Sequence, residues 1–279
     1  MSAAPVPAVP AALDPLLVRR PGADRGLLAV PVTEVNVLVL GLSSITAAAV
    51  VMLAGCGVRG FVVVDDGAVS WQDSLAGAFD VSEVGRARDL CTRRRLRAAN
   101  RDAAPVSWSE AFLVGDHPGR VILRSIPATV VEAVPDPASD LRTGTQAGRC
   151  LVGAPADSAR LPEALPLVDV QHLSEPAPAT MLLHPPRPWS ARPCPACSTR
   201  LAQQVQAQLR GTGRAAPAAR AAAAAHTAFA AAHVAQAVLG AATEPSAAPG
   251  GGGLVIRPGA PFSSASPVRS PPTGCGLCA

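Results

Sequence analysis

An α/β fold is predicted here, with a mainly parallel sheet, flanking helices and a metal-clamped C-terminal region. Three observations predict it. The stretch from Val35 to Asp65 reads as strand, tight turn, helix and second strand. Two Cys-x-x-Cys pairs, Cys194/Cys197 and Cys275/Cys278, stand far apart toward the end of the chain. The 279 residues, 49% hydrophobic and 16% charged, suffice for a sizeable core.

Residues 1–30 read as a flexible Pro/Ala-rich leader, and 31–279 as one domain. The start lacks the basic-then-apolar build of a signal peptide, so a cytoplasmic location is expected. Val35 to Leu40 is a Val/Leu run suited to a central parallel strand, buried on both faces. Gly41 to Thr46 is a turn of small residues, Ala47 to Gly55 a helix ended by Gly55-Cys56-Gly57, and Phe61 to Val64 the next strand. The run from Val35 to Val64 is apolar enough to suggest a membrane span. Its glycines and serines and its β-branched ends favour strand, helix, strand, and no membrane association is expected.

Further along, Ser82 to Asn100 reads as one amphipathic helix, followed by short strands at Pro105–Trp108 and Arg120–Arg124. Ile126 to Gly148 reads as a Pro-rich loop, and Cys150–Gly153, Leu167–Val170 and Thr180–Leu183 as strands. Thr199–Arg210 and the Ala-rich Ala215–Leu239 read as helices, the second with an apolar stripe through Phe229, Val234, Val238 and Leu239. A low-complexity linker, Ala241–Gly253, leads to an edge strand at Gly253–Arg257.

Charge and composition exclude some functions. The net charge of +4 is mild, and the basic run Arg93, Arg94, Arg95 and Arg97 reads as a solvated helix face. With aromatic residues at 3%, there is no stacking platform for nucleic acid. Cys56, Cys91 and Cys150 read as small buried hydrophobes, and none carries a local signature of a nucleophile. His117, His172, His184, His226 and His233 show no metal-type spacing.

Two patterns carry chemistry. Four thiolates in two knuckles suit a tetrahedral, structural Zn2+. In a reducing compartment the Cys pairs favour metal over disulfides. The ion would hold the tail to the body of the domain. The second pattern is the strand–turn–helix. Backbone N–H groups and the helix dipole at such a turn hold phosphate. Asp65, at the end of the following strand, is placed either to grip ribose hydroxyls or simply to cap a strand end beside Gly67.

Together these stretches resemble the ThiF/MoeB superfamily, relatives of the ubiquitin-activating enzymes. "VLVLGLSSITAAAVVMLAGCGVRGFVVVDD" is similar, without a gap, to that family's strand, Gly-x-Gly-Gly-x-Gly turn, helix and acidic strand end. "DVSEVGRARDLCTRRRLRAAN" resembles its Val-Gly-x-x-Lys segment and following helix, and "RPCPACSTR" and "GCGLC" its zinc knuckles. The Pro-rich "HLSEPAPATMLLHPPRPWSARPCPAC" is similar to divergent actinobacterial members, some of them partners in making modified peptides.

The resemblance implies a Rossmann-like body and use of Mg2+ and ATP. The implied reaction is adenylation of the C-terminal carboxylate of a small β-grasp carrier protein or precursor peptide, by a homodimer. Gly41 matches the family's first glycine and Asp65 its ribose-binding acid, whereas Ser43, Ser44 and Thr46 stand at the phosphate turn where glycines are expected. Arg88 takes the place of the phosphate-contacting Lys, and Asp157 that of the metal-binding Asp after the fourth strand. Asp73 stands for an Asn, Ala76 for an Arg and Gly67 for a second acid. These departures leave two readings open: a degenerate adenylyltransferase, or a non-catalytic peptide- or protein-binding module with the same fold. An NAD-dependent oxidoreductase would share the turn but has no use for the zinc clamp.

Overall fold

The computed structural model describes residues 30–105, 119–126, 164–173, 180–188, 202–205, 207, 220–243, 253–258 and 263–268. Strand β1 (Asn36–Leu40) runs into helix α1 (Ser44–Gly55) and strand β2 (Gly60–Val64). Helices α2 (Trp71–Leu75) and α3 (Arg88–Ala99) follow, then strands β3 (Ala104–Pro105), β4 (Arg120–Ile126), β5 (Pro166–His172), β6 (Met181–Leu183) and β7 (Arg187–Pro188). Helix α4 (Arg220–Thr243) precedes strands β8 (Gly253–Arg257) and β9 (Ser264–Val268).

These strands form one sheet in the order β3-β2-β1-β4-β5-β6-β8-β9, with β7 also paired to β5. The five strands from β3 to β5 are parallel and the rest antiparallel. The fold class is therefore mixed α/β with a mainly parallel centre. Between β1 and β4 the chain order reverses, and ligands of open α/β sheets bind outside the strands' carboxyl ends at such a switch point.

The central strands are buried on both faces, which is why they read as unbroken Val/Leu runs. Val37, Val39, Val121, Leu123, Val168 and Val170 pack on the face covered by α1 and α4. Leu38, Leu40, Ile122 and Leu167 pack on the other. Helix α1 is apolar nearly all round because it packs into the core on the sheet and is flanked by α3 and α4. Alanines on α4, including Ala230, Ala231 and Ala235, let that helix sit close on the core. Part of α4 (Ala221–Thr243) is long and apolar enough to cross a membrane by composition alone. Here its Val234 and Val238 are fully buried in the core.

Several expectations are corrected. Helix α1 begins at Ser44 rather than Ala47, because Ser43 caps it. The helix expected from Ser82 to Asn100 is broken: Val81–Glu83 forms a 3₁₀ turn, Gly85 takes a positive φ of 82°, and α3 starts only at Arg88. Ile126 belongs to β4, and Ala241–Thr243 to α4. Phe229 leaves the buried stripe and packs edge-on against His233, ring centroids 4.8 Å apart. Strand β8 is not an edge, since β6 and β9 flank it. The expected strand at Cys150–Gly153 lies outside the described residues.

Candidate functional site

The turn after β1 lies at the switch point. Gly41 has φ 75°, and a Cβ there would stand 3.3 Å from the Ser125 carbonyl at the end of β4. The site therefore begins with a glycine that the backbone and a neighbouring strand both require. Ser43 caps α1: its Oγ accepts from Thr46 N at 3.2 Å, and Ser43 N donates to Thr46 Oγ1 at 2.7 Å. Thr46 is fully buried. The two hydroxyls thus serve the helix start itself. The first turn of a helix has four N–H groups without intrahelical partners, and the reciprocal cap takes two of them, those of Ser43 and Thr46, leaving those of Ser44 and Ile45 as donors.

Asp65 closes the turn from the side of β2. Its Oδ2 accepts from Leu42 N at 2.6 Å and its Oδ1 from Gly67 N at 2.9 Å. Arg88 lies beside it, with Nε 3.6 Å from Oδ1. The Arg88 guanidinium also donates to the Leu42 carbonyl and, at 3.2 Å, to that of Ala68. Burial pushes the Asp65 carboxyl above its usual range, against the pull of the Arg88 charge and the two backbone N–H groups. Each carboxylate oxygen carries two lone pairs, so acceptor capacity remains for a hydroxyl.

The position of Arg88 depends on two other features. A Cβ on Gly67 would lie 2.5 Å from its Nη2, so the absence of a side chain at 67 makes room for the guanidinium. Its backbone N donates to Gly67 O at 2.9 Å, and Val69 N donates to Arg86 O at 2.8 Å, tying the start of α3 to the segment after Asp65. Glu83 anchors the middle of α3: it accepts from Arg94 at 2.5 Å, from Arg95 Nη2 at 2.6 Å and from Asp80 N at 2.8 Å.

The structure brings Gly41, Ser43, Ser44, Thr46, Asp65 and Arg88 together around one turn. Asp73, the Asn-like position, caps α2 through Ser70, and Ala76 ends α2 with only 1% exposure. No cation projects from position 76. Strand β4 ends in Arg124, Ser125 and Ile126, without a carboxylate. Asp157 and the four cysteines Cys194, Cys197, Cys275 and Cys278 lie outside the described residues. Among the described residues no group of three His, Cys, Asp or Glu side chains forms a metal site.

Sequence reasoning did not anticipate the polar residues beyond the turn. Arg124 pairs with Asp169 through two bonds, of 2.7 and 2.9 Å. Ser125 Oγ lies 3.5 Å from His172 Nε2, and burial lowers His172 to about 4 despite the nearby Asp73. Only the presence of Asp169, Gln171 and His172 on an otherwise apolar strand hints at a buried polar cluster.

No protein-family model matches the chain, and no curated protein matches it. Solved structures do. E. coli MccB with ATP aligns at 13% identity and a TM-score of 0.50, over 88% of this chain and 68% of that one. E. coli MccB with MccA aligns at 14% and 0.49, over 89% and 67%. PaaA aligns at 12% and 0.46, over 85% and 73%. The chain thus spans about two thirds of the length of the MccB chains. At this identity the likeness is one of fold alone, and the fold shared is that of MccB.

Proposed function

We propose that this chain is a divergent ThiF-type adenylyltransferase homologue. It would bind ATP at the β1–α1 turn and act on the C-terminal carboxylate of a peptide or small β-grasp protein. The observation that carries this reading is Asp65: a buried carboxylate at the end of β2, fixed against the turn at the sheet's switch point. MccB, whose fold this chain shares, has been captured with ATP and with the peptide MccA, which supports the choice of ligands.

The residues present fit the nucleoside end of ATP better than the phosphate end. Asp65 would take ribose hydroxyls, and the Ser44 and Ile45 N–H groups would face phosphate oxygens. Arg88 would have to leave the Leu42 carbonyl to reach phosphate. When bound, Mg2+ would neutralise charge on the departing pyrophosphate, and Asp157 is the residue proposed to hold it. The zinc knuckles Cys194/Cys197 and Cys275/Cys278 would fix the tail and take no part in the chemistry.

A second reading has specific support. The buried Ala76 in place of an Arg, and Arg88 turned into the turn's own carbonyl, favour a non-catalytic module that binds a peptide or protein in a biosynthetic pathway. Loss of one electrostatic contact to a transition state costs about 3 kcal/mol, so two such losses would leave little turnover. Binding of Mg-ATP that depends on Asp65 separates the readings: its absence up to millimolar ATP rejects the adenylyltransferase.

A further inference from the structure

The carboxyl ends of β4 and β5 carry a serine and a histidine that meet. On the sheet face covered by α1 and α4, alternation leads from Val121 and Leu123 to Ser125, and from Val168 and Val170 to His172. Both residues therefore stand beside the switch point between β1 and β4, where open α/β sheets take their ligands. Ser125 Oγ lies 3.5 Å from His172 Nε2, and a Cβ on Gly41 would lie 3.7 Å from Ser125 Cβ. The serine thus has the glycine turn on one side and an imidazole on the other.

The two differ in burial. His172 is 7% exposed, whereas Ser125 is part-exposed. The base is shielded from water and the hydroxyl can be reached. Burial pushes His172 down to about 4, and the charge of Asp73 on α2 pulls the other way, towards a protonated ring. The ring is neutral at pH 7. In the tautomer protonated on Nδ1, its Nε2 accepts from the Ser125 hydroxyl. A hydroxyl in reach of a neutral imidazole, at the ligand-binding end of the sheet, is the arrangement of an activated nucleophile.

We propose that Ser125 is a nucleophile that accepts an acyl group from an activated carboxyl group, an acyl phosphate or a reactive ester, with His172 as its general base. The Ser125 Oγ–H proton passes to His172 Nε2 as Oγ bonds to the acyl carbon. The bond from that carbon to the leaving-group oxygen breaks, the oxygen keeps the electron pair, and His172 gives it the proton. The products are an ester on Ser125 and a free phosphate or alcohol. The step goes beyond the functional reading above and needs no nucleotide.

The test incubates the full chain with p-nitrophenyl acetate in the absence of ATP. The sequence holds neither Lys nor Tyr, so two common sites of adventitious acetylation are missing. Release of p-nitrophenolate is followed by absorbance, and the acetylated residue is mapped by mass spectrometry. A burst of about one equivalent per chain, with the acetyl group on Ser125, is expected. Ser125→Ala should abolish the burst, and His172→Gln should slow it at least about tenfold. No burst, an acetyl group found only on a cysteine or the N-terminus, an unchanged burst in Ser125→Ala, or an unchanged rate in His172→Gln would overturn the proposal. The site mapped in the wild type decides even if a variant fails to fold. Because the probe carries its own leaving group, failure here is distinct from failure of the nucleotide site.

Discussion

Replacing Glu83 by Gln removes one buried charge and leaves the shape of the side chain. Burial would raise the Glu83 carboxyl. The Arg95 hydrogen bonds, the Asp80 N–H and Arg94 outweigh it and bring it down to about 2 from 4.5. At about 1.4 kcal/mol per pKa unit that difference is worth about 3 kcal/mol. Arg94 is 59% exposed, so solvent screening reduces the figure to about 2 kcal/mol. A depressed carboxylate pKa stabilises the fold above the unfolded value, and the gain is lost as pH falls. The deficit of Glu83→Gln should therefore be full at pH 7, shrink below about pH 4.5 and vanish near pH 2. Urea unfolding of both proteins across that range measures it. The loss should also loosen α3, and with it Arg88 at its first residue. A deficit below about 0.5 kcal/mol at pH 7, or one that does not change with pH, would refute the reasoning.

Three other changes probe the turn and the tail. Gly41→Ala forces a side chain to a φ of 75° and puts its Cβ 3.3 Å from the Ser125 carbonyl, so a loss of about 1–2 kcal/mol is expected in urea unfolding. Gly67→Ala displaces the flexible end of Arg88 and brings a Cβ to 3.1 Å from Asp65 Oδ1; the Arg88 Nε–H resonance should move while the melting temperature falls by less than about 4 °C, and an unmoved resonance contradicts the packing described. Substituting both Cys275 and Cys278 with Ser should release about one zinc ion per chain and expose the tail to protease, and full zinc retention by that variant would end the clamp proposal.

How much was legible in the sequence varied with the range of the interactions. The strands β1, β2 and β4 were visible because burial on both faces demands an uninterrupted apolar run. The end of β2 at Asp65 was visible as an acid following such a run. Its bond to Leu42 N was not, because that contact joins residues 23 apart through the fold. The cap of α1 was present in the text as Ser43 and Thr46, yet the resemblance to a glycine-rich turn drew attention to phosphate instead of to the helix start. Strand β9, Ser-Ala-Ser-Pro-Val, carries little apolar signal: it pairs with β8, and Ala265 packs against the core. The break before α3 was hidden because polar residues continue through Gly85. Helix α2 is one short turn set by the Ser70–Asp73 cap, too brief for periodicity to register. The Arg124–Asp169–Arg187 cluster draws on three strands, and no local spacing announces it.

The central proposal is that Asp65 and the Gly41 turn form a nucleotide site. Calorimetric titration of the zinc-loaded full chain with Mg-ATP tests it most directly, with Asp65→Asn as the paired variant. Micromolar binding in the wild type, weakened at least about tenfold in the variant, is the predicted result. No heat of binding up to millimolar ATP, or equal affinity in both proteins, would contradict it.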